Sequence, residues 1–414
     1  MSAAAGTDVA AAVAEAHRRE WASVLAATAR VALDLGSAEE AAQDAYAAAL
    51  ETWGERGIPE NPGAWLTTVA RRRALDLRRR ADVADRALPK LVEPQAADVT
   101  ESDRFGGDRL RLVFTCCHPA LAEEARIALT LRMVCGLSTA DVASAFLVTE
   151  ATMAARITRA KKKIAAARIP YRIPEPQDLP ERIASVLSVV HLVFTTGHTA
   201  PAGASLQRRG LAERALELAL LLQRLLPREP EVSGLLALIL LTDARRRARV
   251  DDDGLPVLME DQDRASWDRA DIAAGLRALR RAFELGRPGR FTLMAAIAAV
   301  HDESATWAET DWVQIRGLYD VLLDVWPSPI VALNRAIAIG FSDGPAAGLA
   351  AMDRLAADPA LATYGYLPAA RADLLARLGR PEEARIAYDE ALLLTRNDAE
   401  RRLLERKLAE LVSS

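Results

Sequence analysis

The stretch GLSTADVASAFLVTEATMAARITRAKKKI, residues 136–164, constrains the fold more than any other part of the chain. Gly136 can end one helix. Ser138 can cap the next, with Asp141 three residues on, close to the reciprocal pattern that satisfies two orphan N–H groups. Val142, Ala143 and Phe146 give that helix an apolar face. Leu147, Val148 and Thr149 form a turn, and Thr149 can cap a second helix. There Met153, Ile157 and Ile164 make the buried stripe, while Thr152, Arg156, Arg159, Lys161, Lys162 and Lys163 fall on the opposite face. No acidic residue occurs from 151 to 174. Two short helices, the second basic and polar outward, are the helix-turn-helix pattern. Its second helix enters a major groove N-terminal end first, so Glu150, Thr152, Ala155 and Arg156 are placed to meet bases. The lysines further on are placed for phosphates, which give affinity but not sequence. The plain alternative is a helix hairpin with a solvated face.

The rest of the chain supports an all-α protein. Alanine, leucine and arginine dominate, and aromatics make up only 5% of the 414 residues; such residues lose little on entering a helix. Two proline-bearing breaks divide the helices. Residues 8–80 form a first helical domain, 81–104 a linker, and 105–170 a second helical domain containing the helix-turn-helix. Pro170, Pro174, Pro176 and Pro180 then forbid a continuous helix. Residues 181–411 form a long helical extension.

In the first domain, AEEAAQDAYAAALETW (38–53) puts Ala41, Ala45, Ala48 and Ala49 along one face, with Glu39, Glu40, Gln43 and Asp44 elsewhere on the turn. After a Gly/Pro loop, NPGAWLTTVARRRALDLRRR (61–80) begins with an Asn-Pro helix entry and ends in arginines. Residues 62–90 hold eight Lys/Arg against three Asp/Glu. Charge runs are usually solvated faces. Here Arg71, Arg72, Arg73, Arg78, Arg79 and Arg80 accompany Trp65, a combination suited to nucleic acid. The whole chain carries a net charge of −4, so its distribution matters more than its sum.

Two basic helical modules, a linker and a helix-turn-helix in this order resemble a bacterial RNA polymerase sigma factor of the extracytoplasmic-function (ECF) group, within the sigma-70 family. The resemblance covers about residues 8–170. It implies that Glu40, Gln43 and Asp44 face core polymerase. It also implies that Asn61, Trp65 and the six arginines meet the melted −10 strand, with bases held near the Gly54–Asn61 loop. Residues 150–163, through Glu150, Thr152, Ala155, Arg156, Arg159, Lys161, Lys162 and Lys163, would read the −35 duplex. Two positions depart from the family pattern: Ala154 and Ala155, where a basic or polar residue is common, and Arg72, where asparagine is common.

The extension resembles that of one ECF subgroup, whose extension contains tetratricopeptide-like (TPR) repeats. PERIASVLSVVHLVFTTGHTA (180–200), LMEDQDRASWDRA (258–270) and TDWVQIRGLYDVLL (310–323) carry the likeness. The subgroup's Asn-Glu-Gly-Tyr-like tetrad is here Thr195, Thr196, Gly197 and His198. YLPAARADLLARLGRPEEARIAYDEALLLTRND (366–398) fits a TPR unit, with Ala372, Leu375, Gly379, Ala384, Tyr388 and Ala391 at the small and bulky positions. Residues 328–359 are a weaker copy. Such units must stack to bury their faces, so a short helical superhelix is expected. Stacks of this kind bind proteins or peptides, which leaves two roles for the extension. It controls the sigma half in cis, or it is an interaction scaffold beside a vestigial sigma half.

Other signals are weak. FTCCHP (114–119) reads as a helix corner with buried thiols, Pro119 opening the next helix. If 119–134 is one straight helix, it spans about 24 Å, leaving Cys135 out of reach of Cys116 and Cys117. A redox or metal role for Cys116, Cys117 or His118 is the lesser reading. VDDDGLPVLMED (250–261) offers Arg249 at the first calcium-ligand position, so an acidic turn or small hairpin is expected instead. His191, His198 and His301 read as core or surface histidines. No nucleophile–base pair or phosphate loop stands out, so neither an enzyme nor a cofactor is expected. With no secretory signal, no apolar run of about 18 residues and an odd count of three cysteines, the expected location is cytoplasmic.

Overall fold

The computed structural model describes residues 2–85, 104–146, 148–200 and 202–413. Most of the linker expected at 81–104, and Leu147 of the expected turn, lie outside the described residues. Every regular element described is helical; two isolated bridges, Gly203 with Asn397 and Val250 with Pro256, are the strand-like pairings among the described residues. The chain divides into two units, residues 1–190 and 191–414.

The N-terminal unit begins with three mutually packed helices, Ser2–Ala29 (α1), Leu35–Arg56 (α2) and Pro62–Asp85 (α3). Asp34 caps α2 in a reciprocal box with Ser37. Ala38, Ala41, Ala42, Ala45 and Ala49 are fully buried; side chains this small let the helices approach closely around Leu25, Trp53 and Leu66. Next come Arg104–Cys116 (α4), Glu123–Leu129 (α5), a π-helical turn at Thr130–Val134, Thr139–Ala145 (α6) and Glu150–Ala166 (α7). α4 and the π turn both pack on α1. The Trp21 indole donates to the Met133 carbonyl at 3.0 Å.

FTCCHP is a corner, but not as the sequence suggests. The second helix opens at Glu123, not Pro119, and His118 Nδ1 accepts the Ala120 N–H across the turn. The π turn packs back across α4, close enough for Cys135 to act on the ionisation of Cys116. The expectation that Cys135 is remote therefore fails, because 119–134 is not one straight helix running away from α4.

In the C-terminal unit helices follow one another as near neighbours: Arg209–Leu225 (α9), Pro230–Asp243 (α10), Arg269–Leu285 (α11), Arg290–Glu303 (α12), Trp312–Val325 (α13), Pro329–Ser342 (α14), Pro345–Asp353 (α15), Tyr366–Arg377 (α16), Pro381–Leu394 (α17) and Asp398–Ser413 (α18). Leu179–His198 (α8) precedes them. The apolar run 232–241 lies in α10 and is buried on every side; no described helix is long and apolar enough to cross a membrane. Glu231 of α10 caps α12, its carboxylate accepting the N–H groups of Phe291 at 2.7 Å and Thr292 at 3.1 Å. In 258–270, Arg264 stacks over Trp267 and donates to the carbonyls of His301 and Ser304, closing the other end of α12. Gly197 of the tetrad meets α9 so closely that a Cβ would fall 2.4 Å from the Ala212 nitrogen.

The helix pairs α14–α15 and α16–α17 coincide with the two repeat-like stretches. Ala372, Ala384 and Ala391 are fully buried there, beside Leu375 and Tyr388. The acidic segment at 250–261 is a tight turn, with Asp251 Oδ1 accepting the N–H groups of Asp253 and Leu255.

Candidate nucleic-acid and polymerase interface

The helix-turn-helix forms through the caps its sequence provides. Ser138 and Asp141 make the reciprocal box on α6. Thr149 accepts the Thr152 N–H at the start of α7. Val142 and Ala143 are buried under α6, and Met153, Ile157, Ala160 and Ile164 under α7. The outer face of α7 is left to Glu150, Thr152, Ala155, Arg159, Lys162 and Lys163, all exposed. Arg156 and Lys161 are half-buried and engaged. Arg156 pairs with Glu124 at 3.2 Å, and Lys161 with Glu39 of α2.

In the three-helix bundle, Glu40, Gln43 and Asp44 share an exposed face of α2. Asn61 opens α3, its side chain accepting the Ala64 N–H at 3.1 Å. Trp65 is half-buried, edge-on to buried Trp53 with ring centroids 5.6 Å apart. Arg71, Arg72, Arg73, Arg79 and Arg80 project into solvent from α3, and Arg78 is half-buried. Leu66, Ala70 and Ala74 hold the inner side of the same helix. A helix anchored by one apolar stripe thus presents cations over the rest of its surface, which suits a polyanion.

Glu39 is the residue that sequence reasoning passed over. Its side chain is only 8% exposed, with Arg132 Nη2 at 2.6 Å on one oxygen and Lys161 on the other. Arg132 also donates to the Leu137 carbonyl at 2.8 Å, holding the entry to α6. No local pattern marks this triad, because its members come from three separate helical segments.

Cys116 and Cys117 are poorly suited to thiolate chemistry. Burial raises the Cys116 thiol well above its ordinary range and pushes Cys117 up to about 11. Among the described residues no three His, Cys, Asp or Glu side chains are grouped to hold a metal ion.

A helix-turn-helix with an open basic face, beside a bundle carrying an arginine-rich helix, marks a DNA-binding protein. Comparison with known proteins gives its family. The sigma-70 region 2 family model matches residues 15–83, and the sigma-70 region 4 model matches 111–164. A family of unknown function, DUF6596, matches 182–283. An uncharacterised protein of Rhizobium meliloti (strain 1021) is 42% identical over 388 residues, covering 92% of this chain and 91% of that protein. The chain belongs to the sigma-70 family, as an ECF-like RNA polymerase sigma factor with a C-terminal extension.

Proposed function

We propose that the protein recruits core polymerase through Glu40, Gln43 and Asp44, and opens and holds the −10 element with Asn61, Trp65 and the arginines of α3. It reads the −35 element with Glu150, Thr152, Ala155 and Arg156, and Arg159 and Lys161–Lys163 hold the flanking phosphates. The observation that carries this reading is the exposed, acid-poor face of α7, capped and anchored on its other side. The −35 reader lacks large side chains at Ala154 and Ala155, so base discrimination rests on Glu150, Thr152 and Arg156. We assign residues 8–80 and 105–170 to these two tasks, 81–104 to the linker, and 181–411 to a TPR-like extension that controls the sigma half in cis. Fusion of the extension through the proline-rich segment at 170–180 supports that control. A protein or peptide ligand for its helix pairs would be the signal.

The test of recruitment is equilibrium binding of the labelled full chain to bacterial core polymerase. Replacing Glu40 and Asp44 together by lysine should weaken binding at least tenfold while leaving binding to duplex DNA intact. Equal binding of the variant and the parent to polymerase would remove these residues from the interface. For cis control, residues 1–172 are compared with the full chain in transcription; the same output and stability from both would refute it.

A further inference from the structure

The C-terminal unit gathers buried polar atoms that have nothing to bond. Neither oxygen of Asp302 accepts a hydrogen bond, and the side chain is fully buried. Arg245 Nε stands 3.5 Å from Oδ1, an ion pair but not a hydrogen bond. Burial pushes the Asp302 carboxyl up to about 7 against the pull of Arg245 and Arg264. Trp267 Nε1, Arg264 Nη2, Thr310 Oγ1 and His301 Nδ1 are buried without a partner too. Folded proteins pair nearly all such atoms, so a cluster of them calls for a reason.

These atoms share one neighbourhood. The Trp267 ring lies 4.7 Å from the Arg264 guanidinium and 5.8 Å from that of Arg245, and Arg264 Nη1 donates to the His301 carbonyl at 2.6 Å. His301 in turn meets an aromatic group. Its ring stacks on Trp307 with centroids 6.3 Å apart, and Trp307 meets Trp312 edge to face at 4.9 Å. Phe341 stacks on Trp312 at 4.3 Å, with the Arg377 guanidinium 4.8 Å from its ring. Trp307, Trp312 and Phe341 are all half-buried, so this side of the cluster reaches solvent. The helical stack also closes on itself. Fully buried Asn397, at the start of α18, donates to the carbonyls of Ala200 and Ser205, both at 3.0 Å. Arg377 of α16 pairs with Glu260 at 3.0 Å. A stack tied end to start favours a small ligand over a long extended peptide.

The unbonded atoms call for both signs. Asp302 offers two acceptors, while Trp267 and Arg264 offer donors. A cation brought here would meet Arg245 and Arg264, and an anion would meet Asp302, each without water to screen it. A neutral group with an N–H beside a C=O answers both sides at once. A flat ring bearing that group can lie against the tryptophans. We propose that this cluster binds a small, neutral, planar heterocycle whose edge carries an N–H next to a C=O. The N–H donates to Asp302, and the carbonyl accepts from Trp267 Nε1 and Arg264 Nη2. Use of this ligand as a signal to the sigma half rests on the cis-control reading; the binding itself does not.

The test is calorimetric titration of the full-length protein with uracil and with hypoxanthine, which both carry that edge. Dimethyluracil, methylated on both nitrogens, is the control without an N–H, and benzamidine and benzoate are the charged alternatives. Uracil or hypoxanthine should bind with a dissociation constant on the order of 1 mM or tighter, and dimethyluracil should not bind. Asp302→Asn should weaken binding about tenfold or more, the scale of a charge-assisted bond. Trp307→Leu, at a half-buried ring outside the polar cluster, should weaken it about fivefold and carries the test if Asp302→Asn does not fold. Crystals soaked with the bound probe should show it on Asp302. The inference is overturned if neither uracil nor hypoxanthine binds, if only a charged probe binds, or if both folded variants bind like the parent. It is equally overturned if the soaked crystals hold ordered water alone on these atoms. Failure of cis control looks different: residues 1–172 and the full chain give the same transcription while probe binding persists.

Discussion

Glu39 and Lys161 stand 122 positions apart and form one ion pair, the side chain of Glu39 buried between Lys161 and Arg132. Removing the carboxylate alone leaves two cations facing each other in a partly dry contact. Glu39→Ala should therefore cost about 2 kcal/mol in urea unfolding of the N-terminal unit, the scale of a hydrogen bond to a charged group. Glu40→Ala, one residue on and exposed, should cost under about 0.5 kcal/mol. Equal effects would mean that the triad contributes nothing.

Gly136 closes the π turn with φ at +71°, and a Cβ there would strike the Trp21 ring. Both strain and collision penalise a side chain. Gly136→Ala should destabilise the unit by about 2 kcal/mol or more, read from its unfolding midpoint. An unchanged midpoint would contradict the close packing of the turn on α1.

The phosphate-contact assignment is tested by salt. With Lys162 and Lys163 both changed to alanine, the slope of log affinity against log salt should fall by nearly two, about 0.9 per lost contact on duplex DNA. Sequence preference should not change. A variant with the parent slope would exclude both lysines from the DNA contact.

His191 predicts a pH effect in the extension. Burial, then the nearby Arg290 charge, lower its pKa from the ordinary 6.5 to about 4. The unfolded chain therefore binds this proton more readily than the folded one. Stability from the neutral imidazole is complete above about pH 6.5 and is lost as pH falls toward 4. Between pH 7 and 5 the loss should be about 2 kcal/mol, and His191→Phe should remove that part of the slope. A variant with the parent's pH profile would show that His191 is not held neutral.

What the sequence revealed and what it hid follow from the range of the forces involved. The helix-turn-helix was legible because its caps, Ser138 with Asp141 and Thr149 with Thr152, act over three residues, and its core repeats at helical spacing. The arginine face of α3 was legible for the same reason. The Glu39 triad was not, because nothing near Glu39 in the chain distinguishes it from exposed Glu40; only packing of α7 and the π turn does. Cys135 was misplaced because the distance argument assumed an unbroken helix from Pro119. The chain instead turns through 119–122 and packs back across α4. Gly197 shows the mixed case. The sequence flagged its tetrad by resemblance, while the reason for the glycine, contact with the Ala212 backbone, needed the fold.

The central claim is that this chain directs core polymerase to particular promoters. The most direct measurement is start-site sequencing of run-off transcripts made by the full-length protein, bacterial core polymerase and sheared genomic DNA. The account predicts discrete new start sites sharing one −35/−10 pair, lost when Arg71, Arg72 and Arg73 of α3 are replaced by alanine. Start sites no different from those of core polymerase alone, from folded full-length protein and from folded residues 1–172 alike, would contradict it.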